Sequence, residues 1–124
     1  MLNQFLIMGR LADNPKETVT PNNNKVVSIV VACQKEFRNQ DGTYETDFFR
    51  IEFWKGLADV ALKNLRKGQL VCLRARLENN NYTNKEGRKV YDVRIVGERF
   101  LYLEYSQKTK IIDELEEEII EENE

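Results

Sequence analysis

At 124 residues, 41% apolar and 32% charged, the chain suits one soluble globular domain, and no apolar run approaches the roughly 18 residues that span a bilayer. The absence of histidine removes His-assisted nucleophiles, His-ligated metals and the usual near-neutral proton shuttle. The formal net charge of −2 hides a split: residues 111–124 hold eight carboxylates and no Lys or Arg, which leaves a basic body of +6 carrying an acidic tail. That split suggests a polyanionic ligand for the body and an interaction segment in the tail, against the plainer reading of a solvated charge run.

In chain order, Asn3–Leu11 reads as a strand, with Phe5, Ile7, Gly9 and Leu11 on one face and Gln4, Leu6, Met8 and Arg10 on the other. Asp13-Asn14-Pro15 breaks it, and a short strand follows at Lys16–Thr20. Pro21-Asn22-Asn23-Asn24 is a turn by composition. Lys25–Phe37, rich in Val and Ile, reads as a long and largely buried strand, and Arg38–Gly42 as a polar loop. Thr43–Lys55 is the next strand. Leu57–Arg66 has helical spacing in Leu57, Val60/Ala61 and Leu65, with basic residues at its end and Gly68 as a stop. Gln69–Glu78 is a strand, Asn79–Arg88 a polar loop, and Lys89–Leu103 a last long strand with a bulge expected at Gly97.

The main order is three strands, one helix and two strands. Strands this long in so small a domain must close on themselves to avoid bare edges. The expected class is therefore all-β: a five-stranded Greek-key barrel with its one helix between strands three and four, the OB-fold.

The third main strand separates into a core stripe, Phe49, Ile51 and Phe53, and an opposite face of Phe48, Arg50, Glu52 and Trp54. A solvent face has little reason to hold a ring at each end. Bases stack on such rings and a guanidinium between them meets phosphate or a base plane. The alternatives are that Trp54 packs under the helix or that both rings lie in a subunit interface. On the fourth strand Arg74 and Arg76 point outward, and on the last strand Tyr91, Val93 and Ile95 point in, with Asp92 and Arg94 out. Tyr82, alone among polar residues and flanked by Lys85, Arg88 and Lys89, reads as a mobile stacking finger or as a ring folded onto the barrel. Phe37, between Lys35, Glu36 and Arg38, shares the parity of Val31 and Cys33, so it reaches solvent only through a bulge or a strand end.

Aromatics interleaved with Lys and Arg fit single strands better than duplex, whose bases offer no free face, and there is no helix-turn-helix pair. Catalysis has little to rest on. The six Gly are scattered, no Gly-rich phosphate loop exists, and Asp41, Glu45, Asp47 and Glu52 have nothing to converge them on a metal. No metal or cofactor is expected. Cys33 and Cys72 stand alone and are expected to be reduced core residues. Without a basic segment and a long apolar one at the start, no signal peptide is read, and the cytoplasm is the expected compartment.

The ordered set of Met1-Leu2-Asn3, Gly9-Arg10-Leu11 with Asn14-Pro15, Asp47-Phe48 with Arg50, Trp54-Lys55, Leu57-Ala58-Asp59, Leu65, Lys67-Gly68, Arg76-Leu77, Asn81–Arg88 and Phe100-Leu101 resembles the bacterial-type single-stranded DNA-binding protein (SSB) family over residues 1–104. The resemblance implies an OB-fold that coats single-stranded DNA without sequence preference during replication, recombination and repair. It implies a homotetramer, with a dimer as alternative. By position it implies stacking at Phe37, Phe48, Trp54 and Tyr82 and phosphate contacts at Lys35, Arg50, Arg76 and Arg88. Arg74 joins them on strand parity. Where the family often has Gly this chain has Ala75 and the Asn22–Asn24 turn. The family's long linker and Pro-Phe tip are missing, and Ile111, Ile112, Leu115, Ile119 and Ile120 are spaced for an apolar stripe on a short acidic helix. Residues 105–124 are thus read as a short linker and acidic tail that competes with DNA for the body or meets replication and repair proteins. A phage or mobile-element source fits such a tail. A rival reading is an SSB-like OB-fold subunit of a replication or primosome assembly that uses the aromatic face for protein contacts.

Overall fold

Val27, Ile29 and Val31 on one strand stand opposite Phe53, Ile51 and Phe49 on the next, and all but Phe49 are fully shielded from solvent. This two-residue period builds the barrel wall. The computed structural model describes residues 1–104. Its elements are β1 (Phe5–Leu11), β2 (Lys16–Val19), β3 (Lys25–Arg38), β4 (Tyr44–Trp54), α1 (Lys55–Asn64), β5 (Leu70–Asn79), β6 (Tyr82–Thr83), β7 (Lys89–Val90) and β8 (Val93–Leu103). The large sheet runs β1-β5-β8-β4-β3-β2, and β1 also pairs with β3 at Arg10↔Ala32 and Leu11↔Val31, which closes it. β4 and β8 run parallel and the other neighbours antiparallel. Five strands thus close the barrel, β2 extends β3, and α1 lies between β4 and β5. This is the OB-fold read from the sequence. The expected apolar stripe and short acidic helix of residues 111–124 lie outside the described residues.

Three hairpin turns share one design. In each, the fourth residue donates its amide to the first residue's carbonyl: Asn23 to Thr20 at 2.9 Å, Gly42 to Asn39 at 3.0 Å and Gly87 to Asn84 at 3.0 Å. The donor has φ of +62°, +85° and +80° respectively. Asparagine tolerates that left-handed region, so Asn23 substitutes there for glycine. The third turn corrects the sequence reading, since residues 79–88 are no loop. Tyr82↔Val90 and Thr83↔Lys89 pair as a short hairpin, and Asn84 Oδ1 accepts from the Glu86 and Arg88 amides.

The helix starts and stops two residues earlier than its pattern suggested. Its buried side is Ala58, Ala61 and the capping Leu65 rather than Val60, which is exposed. Gln69, buried on the apolar side of the barrel, donates through Nε2 to the Asn64 carbonyl at 3.1 Å and accepts the Arg66 amide at 2.6 Å. It thereby satisfies a backbone group that the helix end leaves open. β3 is buried only through Val31, and beyond Cys33 it stands clear of the barrel. The two cysteines are free but half-buried rather than core. Cys33 packs on the core with its Sγ 3.4 Å from the Met8 carbonyl oxygen.

The expected bulge is present. Ala75 pairs with Gly97 and Arg74 with Arg99, which leaves Glu98 without a partner. A Cβ at Gly97 would run into the Phe53 ring, with Cδ1 2.5 Å away. Phe53 itself is fully buried and stacks on Phe100 at 4.9 Å between centroids. Gly97→Ala is expected to destabilise the barrel by about 1–3 kcal/mol through overpacking. A denaturation midpoint equal to wild type would show that Phe53 can step aside.

Candidate nucleic-acid interface

Because side chains alternate along β4, burying Ile51 and Phe53 forces Phe48, Arg50, Glu52 and Trp54 outward. Phe48 is 63% exposed and Trp54 is half-buried. Six residues of strand separate them by about 20 Å. Their neighbours across β3 are Ala32 and Val26, with Val30 and Ser28 opposite Arg50 and Glu52. Two hollows flank Arg50 on this face. One, of about 330 Å³, is lined by Asp13, Asn14, Lys16, Thr18, Ser28, Val30 and Arg50. A second, of about 230 Å³, lies between Arg50, Glu52, Asn80, Asp92 and Arg94. Arg50 lines both. The Oε2 atom of Glu52 is buried with no hydrogen-bond partner among the described residues, which puts an unused acceptor at the wall of the second hollow.

Beyond Trp54 lies an ion cluster. Glu78 and Arg94 stand opposite each other on β5 and β8. Glu78 Oε2 accepts from Arg94 Nε at 3.0 Å and Nη2 at 2.8 Å, and Oε1 accepts from Arg76 Nε at 2.9 Å. These two guanidiniums, Arg76 first, hold the Glu78 carboxyl below its ordinary pKa. Arg94 Cζ is 5.9 Å from the centroid of the Trp54 ring.

The far end of the sheet holds Phe37. The β3–β4 register slips between Gln34, opposite Thr46, and Arg38, opposite Tyr44. That irregularity frees Phe37, which is 84% exposed, as strand parity required. Lys35 does not stand free. Its Nζ lies 3.1 Å from Glu45 and 3.8 Å from Asp47, and the Glu45 hydrogen bond, followed by the Asp47 charge, raises its pKa. Arg38 donates to the Tyr44 hydroxyl at 2.8 Å and lies over that ring at 5.5 Å.

Tyr82 is 53% exposed on the β6–β7 hairpin. The hairpin is rooted by the Asn80 amide on the Asp92 carbonyl at 2.9 Å and the Asp92 amide on Asn81 Oδ1 at 3.2 Å. Arg88 is exposed at the hairpin's turn. The structure therefore gathers Phe48, Arg50, Trp54 and, through Glu78, Arg76 along one wall. Tyr82 and Arg88 project on the hairpin, and Phe37 and Lys35 stand at the β3–β4 tip. Arg74 is apart from them. It lies opposite Leu6 and Arg99, on the wall where Leu6, Met8 and Tyr102 are exposed.

Two residues escaped the sequence reading. Tyr91 and Val93 were expected inside and are exposed, Tyr91 at 77%. The pattern of Lys89–Leu103 was read as one strand, but β7 ends at Val90 and β8 starts at Val93, so Tyr91 lies between strands and Val93 stands exposed at the start of β8, while Ile95 keeps its inward place against the core. Tyr91 now shares a hollow with Tyr82 and Lys89. Arg94 was placed outward but not singled out, because no sequence spacing shows that it reaches Trp54.

The Single-strand binding protein family model matches residues 2–103. "Single-stranded DNA-binding protein 1" of Lactococcus lactis is 34% identical over 89% of this chain and 73% of that protein. The Streptococcus pyogenes protein of the same name is 32% identical over 88% of this chain and 84% of its own length. Among solved structures, a Plasmodium falciparum SSB in complex with ssDNA has a TM-score of 0.65, covering 82% of this chain and 96% of that one at 23% identity, and so shares the fold. With a family match running through the entire barrel and relatives a third identical over most of their length, this chain belongs to the single-strand binding protein family.

Proposed function

We propose that residues 1–104 bind single-stranded DNA without sequence preference and protect unwound strands during replication, recombination and repair, with no catalytic step. The observation that carries this is the outward face of β4, with Phe48 and Trp54 set about 20 Å apart and Arg50 between them. Bases stack on the rings and the backbone runs along the cations. Phe37, Tyr82, Lys35, Arg76 and Arg88 are proposed to extend the track, whereas Arg74 lies on a different wall, opposite Leu6 and Arg99. The names of the relatives support the ligand. Trp54 is the sole tryptophan, so titration with poly-dT is expected to quench the protein's indole emission. Emission that stays constant through a saturating titration would favour the rival, a protein-interaction subunit of a replication assembly.

A second surface supports self-association. Leu6, Met8 and Tyr102 are exposed on the β1–β5–β8 wall, an apolar grouping that a free monomer has little reason to keep. We propose that it is covered in a homo-oligomer, a tetramer or a dimer. No helix among the described residues is long and apolar enough to cross a membrane, and the cytoplasm is the proposed compartment. Residues 105–124 are proposed as a linker and acidic tail that meets replication or repair proteins.

A further inference from the structure

Among the described residues, Trp54 is the only stacking candidate with a charged group seated at its ring from a neighbouring strand. Arg94 reaches it from β8, 5.9 Å from the centroid, within the range of cation–π attraction. Arg94 is not loose. Its Nε and Nη2 both donate to Glu78 Oε2, at 3.0 and 2.8 Å, and Glu78 is the residue directly opposite it in the β5–β8 ladder. The other oxygen of the same carboxylate takes Arg76, with Nη2 at 2.7 Å. One acid thus braces two guanidiniums from both sides. A guanidinium whose fork is filled by a carboxylate still offers its planar face to an aromatic ring.

We propose that Glu78 and Arg94 are positioning residues for Trp54: Glu78 fixes Arg94, and Arg94 holds the indole so that its remaining face is presented to a base. The proposal rests on the single-stranded DNA reading above. It assigns Arg76 a different role from the one expected, as the outer brace of Glu78 rather than a free phosphate contact. A ring fixed before binding loses less side-chain freedom on stacking, and so binds more tightly.

The test uses the full chain, the four single variants Arg94→Ala, Arg94→Lys, Glu78→Gln and Trp54→Ala, and the double variant Arg94→Ala, Trp54→Ala. In the unbound protein, acrylamide quenching of Trp54 is expected to rise about twofold in Arg94→Ala and Glu78→Gln as the ring loses its cationic cover, with Arg94→Lys in between. Affinity for oligo-dT is expected to fall about threefold in the same two variants. Arg94→Ala is expected to add nothing when Trp54 is already alanine. Quenching equal to wild type would overturn the proposal. So would an undiminished loss on the Trp54→Ala background, because Arg94 would then be an independent phosphate contact. Glu78→Gln keeps the side-chain volume and guards against a folding artefact in Arg94→Ala. If the wild-type chain ignores oligo-dT, the DNA reading fails on its own, and the quenching comparison still decides whether Glu78 and Arg94 hold the indole.

Discussion

The double substitution Phe48→Ala, Trp54→Ala is expected to cost about 2–6 kcal/mol of oligo-dT binding, at least roughly 30-fold in affinity, since each stacked base contributes about 1–3 kcal/mol. The two sites are about 20 Å apart along β4, so their effects should add. Thermal stability should barely change. Phe48 is 63% exposed, and the core side of the same strand is built from Ile51 and Phe53, which are fully buried. Fluorescence anisotropy of a labelled oligonucleotide reads the binding, and a circular-dichroism melt reads the fold. A collapsed melt with intact binding would mean that the rings serve the barrel instead.

Salt gives the second large effect. For single strands log K falls by about 0.7 per phosphate contact for each tenfold rise in salt. If Lys35, Arg50, Arg76 and Arg88 all meet phosphate, affinity should drop about 50-fold between 50 and 200 mM salt. Two of these four are already satisfied by the protein itself, Lys35 by Glu45 and Arg76 by Glu78. If both stay on their carboxylates, two contacts remain and the drop is about sevenfold. The smaller figure is the expected one, because a phosphate must displace an existing ion pair to gain either cation. A flat salt titration would remove the phosphate contacts altogether.

The strand faces of β1, β4 and β5 were legible because alternation is a local property and each strand has one dry side. Phe49, Ile51 and Phe53 could only share a face, and Arg50 could only take the other. Phe37 was legible to the extent that its parity demanded an irregularity, and the Gln34–Arg38 slip supplies it. The β6–β7 hairpin was not legible. Its strands are two residues each, too short for any period, and Asn84 and Gly87 set the turn in a stretch that reads simply as polar. Missing it carried Tyr91 to the wrong side.

By itself the sequence determined the strand order, the inward and outward sides of the long strands, the helix, and the aromatic and cationic residue types on the outer face. These follow from alternation, helical spacing and turn chemistry, which act over a few neighbours. Only the tertiary structure decided which cations are free, since Lys35 and Arg94 find their carboxylates across strands, and Arg76 shares with Arg94 the Glu78 of its own strand. It alone brought Arg94 to Trp54, forty residues on in the chain, because a closed barrel seats β8 beside β4. Pairings of that kind depend on which strands become neighbours, and no local pattern records it.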